Sequence, residues 1–308
     1  MSSAWTADFD FNWRPGGLDL RVRKTGAEVQ VDRAVLGDLA TWLLFYVPVR
    51  LKAVATRLAA PGPRVWFTPD PPRPWYLIWA AAAWAGVRIA RKPQGAAAAI
   101  YFEDSTLGAP PAFAGPKLNF AATDVSKSKV AAVFEAVFGY PLTVDPQQWT
   151  GQAVEKGEDN GAHDGRLVAC PRPPRPGKVY QRVVDNSDGR LVSDLRTPFV
   201  GGRPVLVFIK SRPVDQRFAN LNTRVTLTTP EAVFSPDEIE RLSAFAVAMR
   251  LDWGGLDVLR DRATGRLYVV DVNKTDMGPP IALPWVDKLR ATRRLGRALR
   301  ALLLETIA

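Results

Sequence analysis

Between Gly254 and Pro280 the chain reads GGLDVLRDRATGRLYVVDVNKTDMGPP, and no other stretch constrains the fold so tightly. Two strand-like runs, LDVLR and RLYVVDVN, flank a turn at Thr264-Gly265, which predicts a β-hairpin. Side chains alternate along a strand, so Asp271 and Asn273 share one face of the second run. The hairpin brings Asp257 of the first run within reach of that pair. An acid inside YVVDV is costly to bury alone, so a partner is expected for it. Two carboxylates and an amide oxygen form a hard, all-oxygen set suited to Mg²⁺ shared with phosphates. The plainer alternative is a solvated hairpin whose acids are turn and edge residues.

The rest of the chain predicts an α/β protein. Val65-Trp66-Phe67, Val87-Arg88-Ile89 and Ala98 to Phe102 read as strands around a helix from Trp75 to Ala85, which implies a small parallel sheet. Before it, residues 18–31 alternate on both sides of Thr25-Gly26 as a hairpin. Residues 33–58 carry apolar residues at helical spacing, interrupted by Pro48. Their basic, amphipathic part is expected to pack on the core with a snorkelling rim, the alternative being a membrane-surface helix. Residues 126–138 predict a helix with Ser126 as N-cap and Gly139 just past its end. After Pro141, strands are expected near 151–156, 166–170, 178–184, 190–200 and 204–210. Helices are expected at 236–250, opened by Ser235-Pro236, and at 285–304. This divides the chain into an N-terminal α/β lobe, 1–120, and a domain over 121–308 with a small lobe to about 184.

The order of motifs around the hairpin resembles the ATP-grasp superfamily, whose metal hairpin usually has Glu where this chain has Asp271. Ala153-Val154-Glu155-Lys156 followed by GEDNGAHDG is similar to the family's strand lysine and its phosphate loop. The resemblance therefore implies nucleotide contacts from Lys156, Gly161 and His163, although a lone loop histidine is as readily a solvated residue. Asp124-x-x-Lys127-x-Lys129 resembles the family's helix start whose lysine reaches the α/β-phosphates; either lysine could serve, with Lys127 preferred, and the alternative is a pair of exposed lysines. Val179 to Val184 resembles the inter-lobe hinge, implying that Gln181 and Val184 meet the adenine. Asp194 resembles the acid near ribose, and Arg196 the arginine near the reacting phosphate; both lie on one strand face, as a surface ion pair would too. In FIKSRPVDQRFANLNTR, Lys210, Arg212, Arg217 and Arg224 form a basic loop. Lys210 stands where family cations meet the γ-phosphate, and Arg217-Phe218-x-Asn220 resembles an arginine of peptide-forming members.

The resemblance implies a small Rossmann-like lobe before the ATP-grasp domain, and ATP- and Mg²⁺-dependent ligation of a carboxylate to an amine or thiol. Some proteins of this fold are instead kinases that phosphorylate a hydroxyl. Acceptor contacts are expected from the first lobe and from Lys274 to Pro280. The chain has 41 Lys and Arg against 31 Asp and Glu, a net charge of +10 that attracts nucleotides, acidic substrates, nucleic acid or anionic lipid without choosing among them. A basic scaffold binding an anionic surface is thus the non-enzyme alternative. No recognised nucleic-acid module is present, which argues against nucleic acid as the main partner. Cys170 is the only cysteine, so no internal disulfide forms and no Cys/His zinc cluster exists. The N-terminus lacks a basic segment followed by an apolar one, and the apolar run Trp75 to Val87 falls short of the roughly 20 residues a spanning helix needs. A cytoplasmic protein without a transmembrane segment is expected. Peptide or small-molecule carboxylates and amines are its expected partners, and a homodimer the commonest oligomer.

Overall fold

The computed structural model describes residues 9–15, 17–22, 28–59, 61–162, 164–218 and 222–308. Strands β1 (Phe9–Arg14), β2 (Gly17–Val22) and β3 (Glu28–Gln30) form an antiparallel meander. The alternation in the sequence predicts only the β2–β3 pair, and its Thr25-Gly26 turn lies outside the described residues. Helix α1 (Arg33–Ala59) runs unbroken for 27 residues with Pro48 inside it. Proline removes one backbone hydrogen bond and crowds the preceding turn, which is why an interruption is expected there. Packing decides otherwise: Phe45, Val49 and Ala53, on both sides of Pro48, are buried against Trp79, Ala80 and Ala83.

This helix corrects the expectation that no segment reaches spanning length. Its most apolar stretch has a mean hydropathy of 1.4, and by length and composition it is long and apolar enough to cross a membrane. Arg50 and Lys52 interrupt the apolar run without ending the helix, so a search for uncharged runs passes over it.

Strands β4 (Arg64–Pro69), β5 (Arg88–Ala90), β6 (Ala98–Phe102) and β7 (Lys117–Leu118) form a parallel sheet in the order β5-β4-β6-β7. Helix α2 (Leu77–Trp84) follows β4 and is buried from Leu77 to Ala83. Its alanines allow close approach from both sides. The last helix, α5 (Trp285–Ile307), lays Ala291, Leu295, Leu299 and Leu303 into the core that α2, β4 and β6 share. A Cβ on Gly296 of α5 would lie 3.0 Å from the Ala81 carbonyl oxygen, which shows how near the two helices come. The sequence groups α5 with the second domain, yet its apolar face packs on the first lobe.

Helix α3 (Lys127–Phe138) starts at Ser126, whose hydroxyl accepts from the Lys129 amide, and ends at Gly139 with φ 79°. Strands β8 (Gly151–Gly157), β9 (Arg166–Cys170) and β10 (Lys178–Arg182) form an antiparallel sheet in the order β10-β8-β9. A larger antiparallel sheet contains β11 (Leu191–Val200), β12 (Arg203–Pro204), β13 (Val207–Pro213) and β14 (Arg224–Thr228). After helix α4 (Pro236–Ala248), with a capping box between Ser235 and Glu238, it is completed by β15 (Trp253–Arg260) and β16 (Leu267–Asn273). Its order is β14-β13-β11-β15-β16, with β12 paired to β11. Phe134 and Phe138 of α3 and Leu242 and Phe245 of α4 cover one face of this sheet. On the other face Val200, Phe208, Val225 and Trp253 join the core shared with α2 and α5, and Asp194, Arg196, Lys210, Asp257 and Asp271 supply the polar groups beyond them.

Candidate active site

The β15–β16 hairpin sets Asp257 directly opposite Asp271 and Gly255 opposite Asn273. Two carboxylates facing each other across an antiparallel pair repel. Each therefore meets a cation from another element. Arg196 of β11, opposite Asp257 in the register, donates to it at 2.8 Å, and Lys127 at the start of α3 reaches Asp271 at 2.5 Å. The Arg196 guanidinium also donates to Asp276 at 2.6 Å. With the Asn273 amide oxygen turned toward it, Arg196 donates there at 2.6 Å as well.

The register of the hairpin shifts after Asp257, where Val258 pairs with Val269 and Val270 drops out of the ladder. A bulge of this kind frees a backbone carbonyl. The carbonyl of Val270 accepts from Lys156 Nζ at 3.1 Å. Thus the bulge fixes the strand lysine of β8 over the hairpin acids.

Strand alternation places Asp194 with Arg196 on β11, and pairing sets Lys210 of β13 opposite Asp194. Asp194 accepts from Arg212 at 2.7 Å and from the Asn186 amide at 2.9 Å. A cleft of about 260 Å³ opens between the β8–β10 sheet and the larger antiparallel sheet, lined by Lys156, Gln181, Asp194, Lys210, Asp257 and Asp271. Gln181 of β10 is buried, and its side-chain nitrogen has no hydrogen-bond partner among the described residues. A buried donor left unmade is costly, so this one is set for a ligand acceptor.

The electrostatics follow from burial. Burial pulls the Lys156 pKa down to about 8, with Asp271 opposing and the Lys127 charge adding to the shift. Lys210 is lowered by burial and by Arg196 beside it. Burial raises Asp194 despite Arg212. Burial also works to raise Asp257, but Arg196 and Lys210 more than offset it and hold the carboxyl below its ordinary range. Burial disfavours the Arg196 cation, yet Asp257 and Asp276 raise its pKa above the ordinary value.

No family model matches the sequence, and no curated protein sequence does either. Solved structures do match. An ATP-grasp ligase, PsnB, complexed with a minimal precursor has a TM-score of 0.52 at 12% identity, covering 80% of this chain and 100% of that one. The same ligase with minimal precursor, Mg and ADP scores 0.51 at 13% identity, over 78% and 96% of the two chains. The D-alanine–D-alanine ligase of Bacillus anthracis complexed with ATP scores 0.47 at 12% identity, over 80% and 99%.

This chain has the ATP-grasp fold.

In this chain the loop after β8 is pinned at several points. The Glu158 carboxylate accepts from the Ser128 amide at 3.0 Å, at the start of α3. Asn160 accepts from Lys127 Nζ at 3.2 Å, and its amide donates to Thr106 Oγ1 at 2.8 Å. Asp164 accepts from Lys178 at 2.6 Å and from the Gly157 amide at 3.0 Å. Glu158 and Asp164 are thereby turned to protein partners, while Gly161, at φ 74°, lines the cleft. His163 lies outside the described residues, as does Asn220.

Arg217 lines the cleft together with Lys210. Its hydrogen bonds go to the hinge: to the Val184 carbonyl at 2.8 Å and to Asn186 Oδ1 at 3.1 Å. A short helical turn, Val214–Gln216, follows β13 and leads the chain into Arg217. The Val184 carbonyl, expected to face adenine, already has that donor.

Two residues that sequence reasoning passes over complete the arrangement. Asp276 is 3% exposed and shares Arg196 with Asp257, its second oxygen lacking a hydrogen bond among the described residues. It lies past the end of β16, where no periodicity assigns it a face. Asn160 bonds Lys127 from the loop. The segment after Asn273 also joins the lobes: Leu77 donates to the Asp276 carbonyl at 2.9 Å and Thr275 to Asp104 at 3.0 Å. Lys274 is buried there, 5.0 Å from the centre of the Tyr101 ring.

The hairpin oxygens suit Mg²⁺. Asp257, Asp271 and Asn273 offer hard oxygen donors only, and no cluster of three or more His, Cys, Asp or Glu stands ready to enclose a metal among the described residues. Such a set leaves several coordination positions for phosphate oxygens and water, the usual manner of Mg²⁺.

Proposed function

We propose that this chain is an ATP- and Mg²⁺-dependent ligase that activates a carboxylate for attack by an amine or thiol. The observation that carries the reading is the convergence of Lys127, Lys156, Arg196 and Lys210 on one sheet face with Asp257, Asp271 and Asn273. Phosphoryl transfer needs little covalent help from a protein and much charge stabilisation and positioning. Mg²⁺ held by the three hairpin residues would offset the charge of the phosphate oxygens.

Lys127 and Arg196, now bound to those carboxylates, together with Lys156 and Lys210 beside them, are the groups that serve the phosphates. Lys127 and Lys156 approach from the small lobe and Lys210 from the floor, so a polyphosphate lying along the cleft meets positive charge on both sides. Arg196 stays tied to Asp276 and keeps its guanidinium aimed at the reacting end. Gln181 supplies a free donor to the base. The loop 157–165, fastened through Glu158, Asn160 and Asp164, covers the phosphates and excludes water, which an acyl-phosphate requires. The acceptor site falls at the seam of Lys274, Thr275 and the first lobe. Transfer of the γ-phosphoryl group to the carboxylate oxygen releases ADP, and attack by the nucleophile on the acyl carbon then releases orthophosphate.

Calorimetric titration with a non-hydrolysable ATP analogue tests the nucleotide site. Binding should require Mg²⁺ and be lost in Asp271→Asn, whose amide oxygen still accepts from the buried Lys127 and so keeps the melting temperature near that of the wild type. Unchanged Mg²⁺-dependent binding in that variant sinks the metal assignment. Product analysis with candidate carboxylates and amines then separates ligase from kinase: orthophosphate and a new amide mark the first, a phosphorylated acceptor the second.

A further inference from the structure

We propose that the outer face of α1 and the basic groove beside it form one docking surface for an anionic lipid bilayer. The inner stripe of α1 is occupied, with Phe45, Val49 and Ala53 buried on α2. The outer stripe is not. Leu36, Leu43, Val47, Leu51, Val54 and Leu58 recur three, four or seven residues apart, which puts them on one side of the helix. They are exposed, from 44% at Leu43 to 82% at Leu58. Only 11% of the most apolar stretch of α1 is buried. A continuous apolar row of that length is the mark of an interaction surface.

Cations flank the row. A groove of about 420 Å³ lies between α1, α2 and α5, lined by Lys52, Arg293, Arg297 and Arg300 around Trp84 and Gly296. No acid lines it. Arg300 donates to the Ala85 carbonyl at 3.2 Å, and no salt bridge engages Lys52, Arg293 or Arg297 among the described residues. Arg50 is exposed on the other edge of the row. The close approach of α5 to α2 at Gly296 places the α5 arginines beside α1.

Charge selects the occupant. A second copy of this chain meeting the same face would set these cations against their own images. The one acid on α1 is Asp38, which lies near the buried Lys288. An anionic bilayer supplies both complements at once: an acyl region for the leucine row and phosphates for the groove. Because the inner stripe belongs to the core, α1 lies along the body of the protein and enters the headgroup region sideways. This surface is separate from the nucleotide cleft, so it stands or falls independently of the ligase reading.

Sedimentation of the full-length protein with vesicles tests this surface. Phosphatidylcholine vesicles containing phosphatidylglycerol should bind it, and phosphatidylcholine alone should bind it at least about tenfold more weakly. Raising salt from about 0.1 M to about 0.5 M should release it. The double variant Leu43→Glu, Leu51→Glu should lose binding to both vesicle types. Arg293→Ala with Arg297→Ala should lose only the preference for anionic lipid. Thermal melting of each variant should match the wild type, since all four side chains are exposed. Four results overturn the proposal: no vesicle binding, equal binding to neutral and anionic vesicles, release from vesicles only by detergent, or a stable dimer that the two glutamates dissociate.

Discussion

The cleft and the outer face of α1 hold their cations in opposite ways. In the cleft, Arg196 and Lys127 are almost fully buried and each bonds a carboxylate, whereas Lys52, Arg293 and Arg297 stand at the surface with no salt bridge among the described residues. A buried charge without a partner costs several kcal/mol, roughly, while an exposed one is solvated at little cost. The buried charges are therefore tied to the fold as well as to any ligand. The surface charges are free to serve a partner alone.

Several substitutions would break or sharpen that contrast. Removing Arg196 should have the largest effect on stability. Arg196→Met leaves Asp257 and Asp276 facing each other without a cation, and a loss of about 3–5 kcal/mol in urea unfolding is expected. A loss below about 1 kcal/mol would show that the pair is not buried as described.

Gly255→Ala comes next. A Cβ there would collide with Asp276 Oδ2 and lie 2.9 Å from Arg196 Nε, so the ion cluster must shift. Overpacking of this kind costs about 1–3 kcal/mol. The nucleotide analogue should bind more weakly in step, and a variant as stable as the wild type would contradict the packing around Arg196.

The Lys156 pKa near 8 gives a pH signature. Below pH 8 the ammonium is charged and offers full attraction to phosphate; above it, attraction is lost as the proton leaves. Affinity for the ATP analogue should therefore fall between pH 7 and pH 9, and Lys156→Arg, charged throughout, should flatten that fall. The linkage to stability has the opposite sign. The unfolded chain keeps the lysine proton up to the ordinary value of 10.5, so folding binds fewer protons between about 8 and 10.5 and is favoured as pH rises there. An affinity profile that is flat from pH 7 to pH 9 in the wild type would remove Lys156 from the phosphate site.

The smallest expected change is in Arg293→Ala with Arg297→Ala, whose melting should shift by no more than about 0.5 kcal/mol. A shift as large as that of Arg196→Met would erase the contrast between the two regions.

Much of the scaffold was legible residue by residue. Ser126 and Gly139 mark the ends of α3, and Ser235 with Glu238 forms the capping box of α4, because capping is settled within one helical turn. The alternation of LYVVDVN and the Thr264-Gly265 turn were enough to bring Asp257 within reach of Asp271 and Asn273, while the bulge at Val270 sets it directly opposite Asp271. Other features had no local signal. β14 follows a loop whose basic residues say little about pairing, and β1 precedes the alternation that marks its partner. Pro48 argued for a break in α1 that packing on α2 overrides. Arg217 reaches the hinge because of where the chain turns after β13, which strand periodicity does not record.

The sequence by itself determined the hairpin, the helix ends and the kinds of donor gathered near the acids, since these depend on neighbours a few residues apart. Only the tertiary structure decided which cation meets which carboxylate, that Val270 drops from the ladder to hold Lys156, that Asp276 shares Arg196, and that α5 packs on α2 beside an uncovered α1. Such pairings join residues up to 215 positions apart, as between Arg300 and Ala85. Burial and electrostatics choose among distant partners by the free energy of the whole assembly, and no local pattern of residues carries that choice.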